Sequence, residues 1–158
     1  MRRVVLFLTL LVAAALLVPP AASALIQVDR GIAGARLGNT KAQVRAALGN
    51  PNRIENGTNE FGGFTVFHYA GGIRVTFQSG NRVTAVQTTG RGDRTRRNVG
   101  VGSTLSAVRN RVPQVASCMP IPGGRLCQTA AGLPGQRLTA FFLQGGRVTR
   151  VVVGFVID

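Results

Sequence analysis

The chain carries one block of its sequence twice. Leu37-Gly38-Asn39-Thr40-Lys41-Ala42-Gln43-Val44-Arg45-Ala46-Ala47-Leu48 recurs as Val101-Gly102-Ser103-Thr104-Leu105-Ser106-Ala107-Val108-Arg109-Asn110-Arg111-Val112, an offset of 64 residues. Gly, Thr, Val and Arg stand at matching places. Downstream, residues 73–77 followed by Gly80-Asn81-Arg82-Val83-Thr84 recur as residues 138–142 followed by Gly145-Gly146-Arg147-Val148-Thr149, now at an offset of 65. Recurrence in two separated blocks reads as two copies of one supersecondary unit, each unable to bury its apolar face alone.

Each copy opens with a helix. Thr40 is a helix cap, and Gln43 three residues on completes a Thr-x-x-Gln capping box. Val44, Ala47 and Leu48 share one face, Gly49 suits a left-handed stop, and Pro51 prevents a restart. In the second copy Thr104 is the cap, Leu105, Val108 and Val112 form the face, and Pro113 is the stop. Helices this short need a sheet to pack on. Residues 64–70, 73–77 and 82–88 are rich in β-branched and aromatic residues and separated by Gly-containing turns; residues 115–118, 125–129, 137–143 and 147–156 follow in the second copy. The expected fold is α+β: two tandem helix–loop–helix/antiparallel-sheet repeats forming one curved sheet with the helices on one face. The expected divisions are a signal peptide at 1–24, a first repeat at 25–90, a basic linker at 91–98 and a second repeat at 99–158.

The motif Gly34-x-x-Leu37-Gly38-x-Thr40-x-x-x-Val44-x-x-x-Leu48-Gly49-x-Pro51, followed by strands ending in Gly80-x-x-Val83, resembles the helix–loop–helix–β unit of the β-lactamase inhibitor protein superfamily. The same unit is found in the small lipoprotein of the bacterial outer-membrane barrel-assembly machine. The duplication is similar to the secreted inhibitors in particular. That resemblance implies two units joining their sheets into one concave surface that grips a protein partner, as the inhibitors grip a β-lactamase.

The amino terminus reads as an export signal. Met1-Arg2-Arg3 is a short basic region, residues 4–18 are apolar apart from one Thr, Pro19-Pro20 break any helix, and Ala22-Ser23-Ala24 has the small-x-small form that signal peptidase cleaves. The apolar run falls short of the ~20 residues needed to span a bilayer, and no later stretch is long and apolar enough. The expected location is therefore secreted or in the cell envelope, with cleavage near Ala24. In such an oxidising compartment Cys118 and Cys127 are expected to pair as a structural clip across a hairpin, because the Pro- and Gly-containing stretch between them can turn back on itself.

The charge narrows the partners. Nineteen Lys and Arg oppose five Asp and Glu, a formal net charge of +14, and Lys41 is the only lysine. Such a field draws anionic partners. The arginines are spread along the chain and form no dense stripe, so nucleic acid is not the expected partner; an anionic cell-surface polymer remains one.

Parts for catalysis are few. His68 is the only histidine, the carboxylates are scattered singly, and there is no nucleophile elbow, no dinucleotide or phosphate-loop fingerprint, and no His/Cys/carboxylate cluster for zinc. No catalytic residue, metal ligand or cofactor is assigned, and the chain is read as a non-enzyme. Arg91-Gly92-Asp93 spells an integrin-type tripeptide and Asn56-Gly57-Thr58 a glycosylation sequon; the first reads as part of the basic linker and the second as an Asn-Gly turn. What remains is a binding surface. Strand alternation at the 65-residue offset places Phe67, Tyr69, Arg74, Arg137 and Phe141 on one exposed sheet face, a mixture of aromatics and Arg that binding hot spots favour. The expected function is a secreted, non-enzymatic protein-binding module using that face, on the pattern of the β-lactamase inhibitors. The alternative is a basic envelope protein held on anionic surface polymers.

Overall fold

The computed structural model describes residues 23–156; of the leader read at residues 1–24, all but Ser23 and Ala24 lies outside them. In chain order the elements are β1 (Leu25–Gln27), β2 (Gly31–Ile32), β3 (Ala35–Arg36), α1 (Lys41–Leu48), β4 (Arg53–Asn59), β5 (Gly62–His68), β6 (Arg74–Gln78), β7 (Ala85–Thr88), β8 (Arg94–Thr95), α2 (Leu105–Arg111), β9 (Ser117–Ile121), β10 (Gly124–Gln128), β11 (Arg137–Gln144) and β12 (Arg147–Phe155).

The expected helix-rich α+β architecture is wrong. The chain is mainly β, with an eight-stranded antiparallel sheet in the order β4-β5-β6-β7-β12-β11-β10-β9 and a mixed four-stranded sheet in the order β3-β2-β1-β8. Among the described residues there are two α-helices, of eight and seven residues. Within those residues no second helix completes a helix–loop–helix unit. The stretch before α1 is instead a set of tight turns and short strands, for a local reason. Asp29, Ala33, Gly34 and Gly38 all have positive φ, and a Cβ on Gly31 would stand 2.0 Å from the Ala35 carbonyl oxygen. A right-handed helix cannot run through such a segment.

The two capped helices do form where the sequence starts them. The Thr40 hydroxyl accepts the Gln43 amide at 3.2 Å while Gln43 Oε1 accepts the Thr40 amide at 2.8 Å, the reciprocal box. Thr104 caps α2 through the Ala107 amide at 3.2 Å, without reciprocation because Ala107 has no acceptor. The turn before each cap is stitched down in the same way, to the segment leading into β7 in the first half and to β12 in the second. The Gly38 amide donates to Val83 O at 2.9 Å and the Gly102 amide to Val148 O at 2.6 Å, while Val83 N and Val148 N donate back to Asn39 O and Ser103 O, each at 2.8 Å. The likeness of the two halves is therefore that of a capped helix tied by its leading turn to an extended segment.

The segment expected as a basic linker, 91–98, includes β8. Its β8 pairs parallel with β1, Ile26 opposite Thr95. Strands from the two halves of the chain meet at the centre of the large sheet, where β7 and β12 pair with Val86 opposite Val153. The core lies between the large sheet and a second layer made of α1, α2 and the small sheet. Val44 and Val108 from the helices, and Ile26 and Ile32 from the small sheet, pack with Phe67, Val75, Phe77, Val86, Phe141, Val151 and Val153 from the large one. The rings of Phe67 and Phe77 meet edge to face, centroids 4.8 Å apart. Cys118 and Cys127 are bonded across the β9–β10 hairpin, where they are direct register partners.

Candidate functional site

The five residues expected on one exposed face are split and mostly covered. Phe67 and Phe141 are 1% and 0% exposed, both in the core. The guanidinium carbon of Arg45, on α1, lies 4.6 Å from the Phe67 ring centroid and completes its cover. Tyr69 points to the same covered side, its hydroxyl donating to Gly49 O at 3.3 Å. Burial raises the Tyr69 phenol above its ordinary pKa, against the lowering pull of the Arg45 charge. Arg137 sits at the rim of that side, its guanidinium 5.6 Å from the Phe155 ring. Arg74 alone reaches the opposite, open face, in a row with Arg53, His68, Gln87 and Val152 on successive strands. No single surface presents all five.

His68 lies on β5, one strand in from the edge strand β4, in a small ion cluster. Glu55 Oε2 lies 3.0 Å from His68 Nε2 and 2.8 Å from Arg53 Nη2. Asp93 of the Arg-Gly-Asp tripeptide is buried and cannot be presented to a receptor. Asn56-Gly57 is no turn; it lies inside β4, opposite Thr65 and Phe64. No group of three or more His, Cys, Asp and Glu side chains lies together among the described residues.

The structure assembles a different site, from residues not singled out in the sequence. The parallel pair β1–β8 is short, and its two strands leave it in different directions. After β1 the chain turns at Arg30, whose amide donates to Gln27 O at 3.0 Å. After β8 it turns through Arg96-Arg97-Asn98, with Asn98 left-handed at φ 59° and the turn closed by Thr95 N donating to Val99 O at 2.8 Å. The third wall is the end of α2, where Arg111 is the last helical residue and Val112 closes the helix by donating to Val108 O at 3.1 Å. Between these three turns lies a half-open cleft of about 390 Å³, lined by Ile26, Gln27, Val28, Arg30, Thr95, Arg96, Arg97, Arg111, Val112 and Gln114.

Its chemistry is lopsided. Ile26, Val28 and Val112 give it apolar surface, while Arg30, Arg96, Arg97 and Arg111 are all exposed and no carboxylate lines it. Among the described residues none of the four arginines has an acidic group within ion-pair distance. The described carboxylates are mostly engaged elsewhere: Asp29 with Thr129 and Thr139, Glu55 with Arg53 and His68, Asp93 with Thr88. Four guanidinium groups sharing one concavity repel one another, and their forked donors match carboxylate and phosphate oxygens. A polyanion entering the cleft relieves that repulsion and fills those donors. A sequence signal existed in Arg96-Arg97 and in the arginines of α2, but nothing local ties them to Arg30, more than 60 residues away.

No protein-family model matches the chain, and no curated protein matches it. Solved structures share its fold. The DUF4309 family protein YjgB from Bacillus subtilis superposes with a TM-score of 0.52 at 18% identity, over 77% of this chain and 82% of that one. An extracellular protein containing a SCP domain from Bacillus anthracis gives 0.55 at 9% identity over 75% of this chain, but the match spans only 44% of that protein's length. At these identities the likeness concerns the fold alone. Neither is described as an inhibitor of the β-lactamase type.

Proposed function

We propose that the protein is an extracytoplasmic, non-enzymatic binding module that takes an anionic polymer of the cell envelope in the cleft between β1, β8 and the end of α2. The observation that carries this reading is the meeting of Arg30, Arg96, Arg97 and Arg111 around one apolar-floored concavity with no carboxylate in it. With Arg2 and Arg3 lost with the leader, 17 basic against 5 acidic side chains leave a net charge of about +12 that would steer the polymer to the protein from a distance. The Cys118–Cys127 disulfide fits an oxidising compartment, and the Bacillus anthracis protein of similar fold is described as extracellular.

The test is binding of the disulfide-intact protein to purified wall polymer rich in phosphate or carboxylate, measured against salt. The parent should bind at low ionic strength and be released as the Debye length shortens to about 8 Å near physiological salt. Arg96→Glu with Arg97→Glu should abolish binding, whereas Arg74→Glu on the open sheet face should leave most of it. Equal losses from both would show diffuse charge and defeat the cleft as the site.

A second reading keeps a protein partner on the open face of the large sheet. It is favoured by one feature: Phe142, Val152 and Leu126 stand half-exposed there, with the Arg150 guanidinium stacked 3.8 Å from the Phe142 ring centroid. Phe142→Ala would remove that platform and separate this reading from the first.

A further inference from the structure

Among the described residues Asp93 is a buried carboxylate without a cation. It is 6% exposed. One oxygen accepts the hydroxyl of Thr88, itself fully buried, and the other accepts the backbone amide of Ala24 at 2.9 Å. The neighbouring Arg94 does not serve it; that guanidinium turns away to donate to Val101 O at 2.7 Å. A charge taken out of water with only neutral donors around it costs several kcal/mol, and proteins usually supply a partner. Ala24 is also held on its other side, its carbonyl accepting the Arg94 amide at 3.0 Å, which continues the β1–β8 ladder by one residue.

The residue whose nitrogen faces Asp93 lies beside the junction at which the leader would be removed. Two bonds there have small residues at the positions one and three before the cut. Cleavage of Ala24–Leu25 has Ala24 and Ala22, and cleavage of Ser23–Ala24 has Ser23 and Ala21. The structure separates them. A chain beginning at Leu25 loses Ala24 altogether, leaving Asp93 with Thr88 alone and the Arg94 amide without its acceptor. A chain that keeps Ser23 offers Asp93 a neutral amide. A chain beginning at Ala24 offers it an ammonium.

We propose that signal peptidase hydrolyses the Ser23–Ala24 bond, and that the α-ammonium so formed at Ala24 is the counter-ion of Asp93. Water adds across the amide, its hydroxyl completing the Ser23 carboxyl of the released leader and its hydrogen passing to the Ala24 nitrogen, which is protonated at neutral pH. Processing thereby turns a hydrogen bond into an ion pair and anchors β1, one wall of the arginine cleft, to the turn before β8.

Two measurements test it. The full-length chain is exported from a bacterial host, and the secreted product is characterised by intact mass and amino-terminal sequencing. A terminus at Ala24 is expected; a terminus at Ser23 or Leu25, or a retained leader, overturns the proposal. Separately, chains made to begin at Ala24 or at Ser23 are melted with and without Asp93→Asn. In the Ala24 chain the substitution should lower the midpoint by at least about 5 °C more than in the Ser23 chain, because only there does it remove a charge pair. Equal shifts in the two chains would refute the ion pair even if the terminus were Ala24.

Discussion

Asp29 and Thr139, 110 residues apart in sequence, exchange two hydrogen bonds: the Asp29 amide donates to Thr139 Oγ1 at 2.6 Å, and that hydroxyl donates to Asp29 Oδ1 at 2.8 Å. Thr129 adds a third, its hydroxyl 2.5 Å from the same carboxylate oxygen. Asp29 is left-handed, at φ 58°, in the turn that carries Val28 and Arg30 into the cleft. The tie therefore fixes one cleft wall to β11 in the large sheet.

Thr139→Val keeps the shape of a fully buried side chain and removes both bonds. We expect a loss of roughly 1–3 kcal/mol, the cost of leaving a buried polar group without its partner. Chemical denaturation measures it. Polymer binding should weaken as well, although the substituted side chain would touch no ligand, because Arg30 loses its fixed position. An unchanged affinity would mean that the turn is held by other contacts.

Phe67→Ala and Phe141→Ala test the core. Each ring is buried beneath the second layer, so each truncation should cost about 3–5 kcal/mol. Calorimetry should show the loss, with affinity retained in whatever fraction stays folded. A folded, stable variant that has lost binding would restore these rings to a binding surface and overturn their placement.

Part of this was legible beforehand. Thr40 and Thr104 announce their helices because a cap is a local device: one hydroxyl, one amide three residues on. β5, β6 and β12 show as β-branched and aromatic runs. The face assignment failed for a definable reason. The turn joining β6 to β7, which contains Ser79-Gly80-Asn81, is longer than Gly145-Gly146 between β11 and β12. The 65-residue offset that relates Val83 to Val148 therefore becomes 66 on the preceding strands, and Val75 and Phe77 share their face with Phe141 and Leu143. A slip of one residue turns every side chain to the other side. β4 was missed because Arg-Ile-Glu-Asn-Gly-Thr-Asn has little β propensity; its register comes from pairing with β5. The cleft was invisible because its arginines come from three turns that only the parallel β1–β8 pair brings together.

The disulfide should be separable from the cleft. Cys118 and Cys127 close a short loop at the β9 edge, and β9 contributes no residue to the cleft lining. Replacing both by Ser should lower stability by about 2–3 kcal/mol through the wider freedom of the unfolded chain. Binding at a temperature where the variant is folded should match the parent. A large loss of binding there would show that the hairpin supports the cleft after all.

Gly57 lies in the middle of β4. A Cβ built there would stand 2.5 Å from Cζ of Phe64, whose residue is its register partner on β5. The ring lies across the glycine, filling the space a side chain would take. At most strand positions Ala is better tolerated than Gly, since Gly loses more backbone freedom on folding. Here the order should reverse: Gly57→Ala forces the Phe64 ring aside and should destabilise by about 1–3 kcal/mol, the range for overpacking. Phe64→Ala alone loses the ring's contacts. In the double variant the clash is gone, so its total loss should fall short of the sum of the singles by more than about 0.5 kcal/mol, beyond the scatter of independent sites. Additive losses, or a Gly57→Ala chain more stable than the parent, would show that the ring does not rest on the glycine.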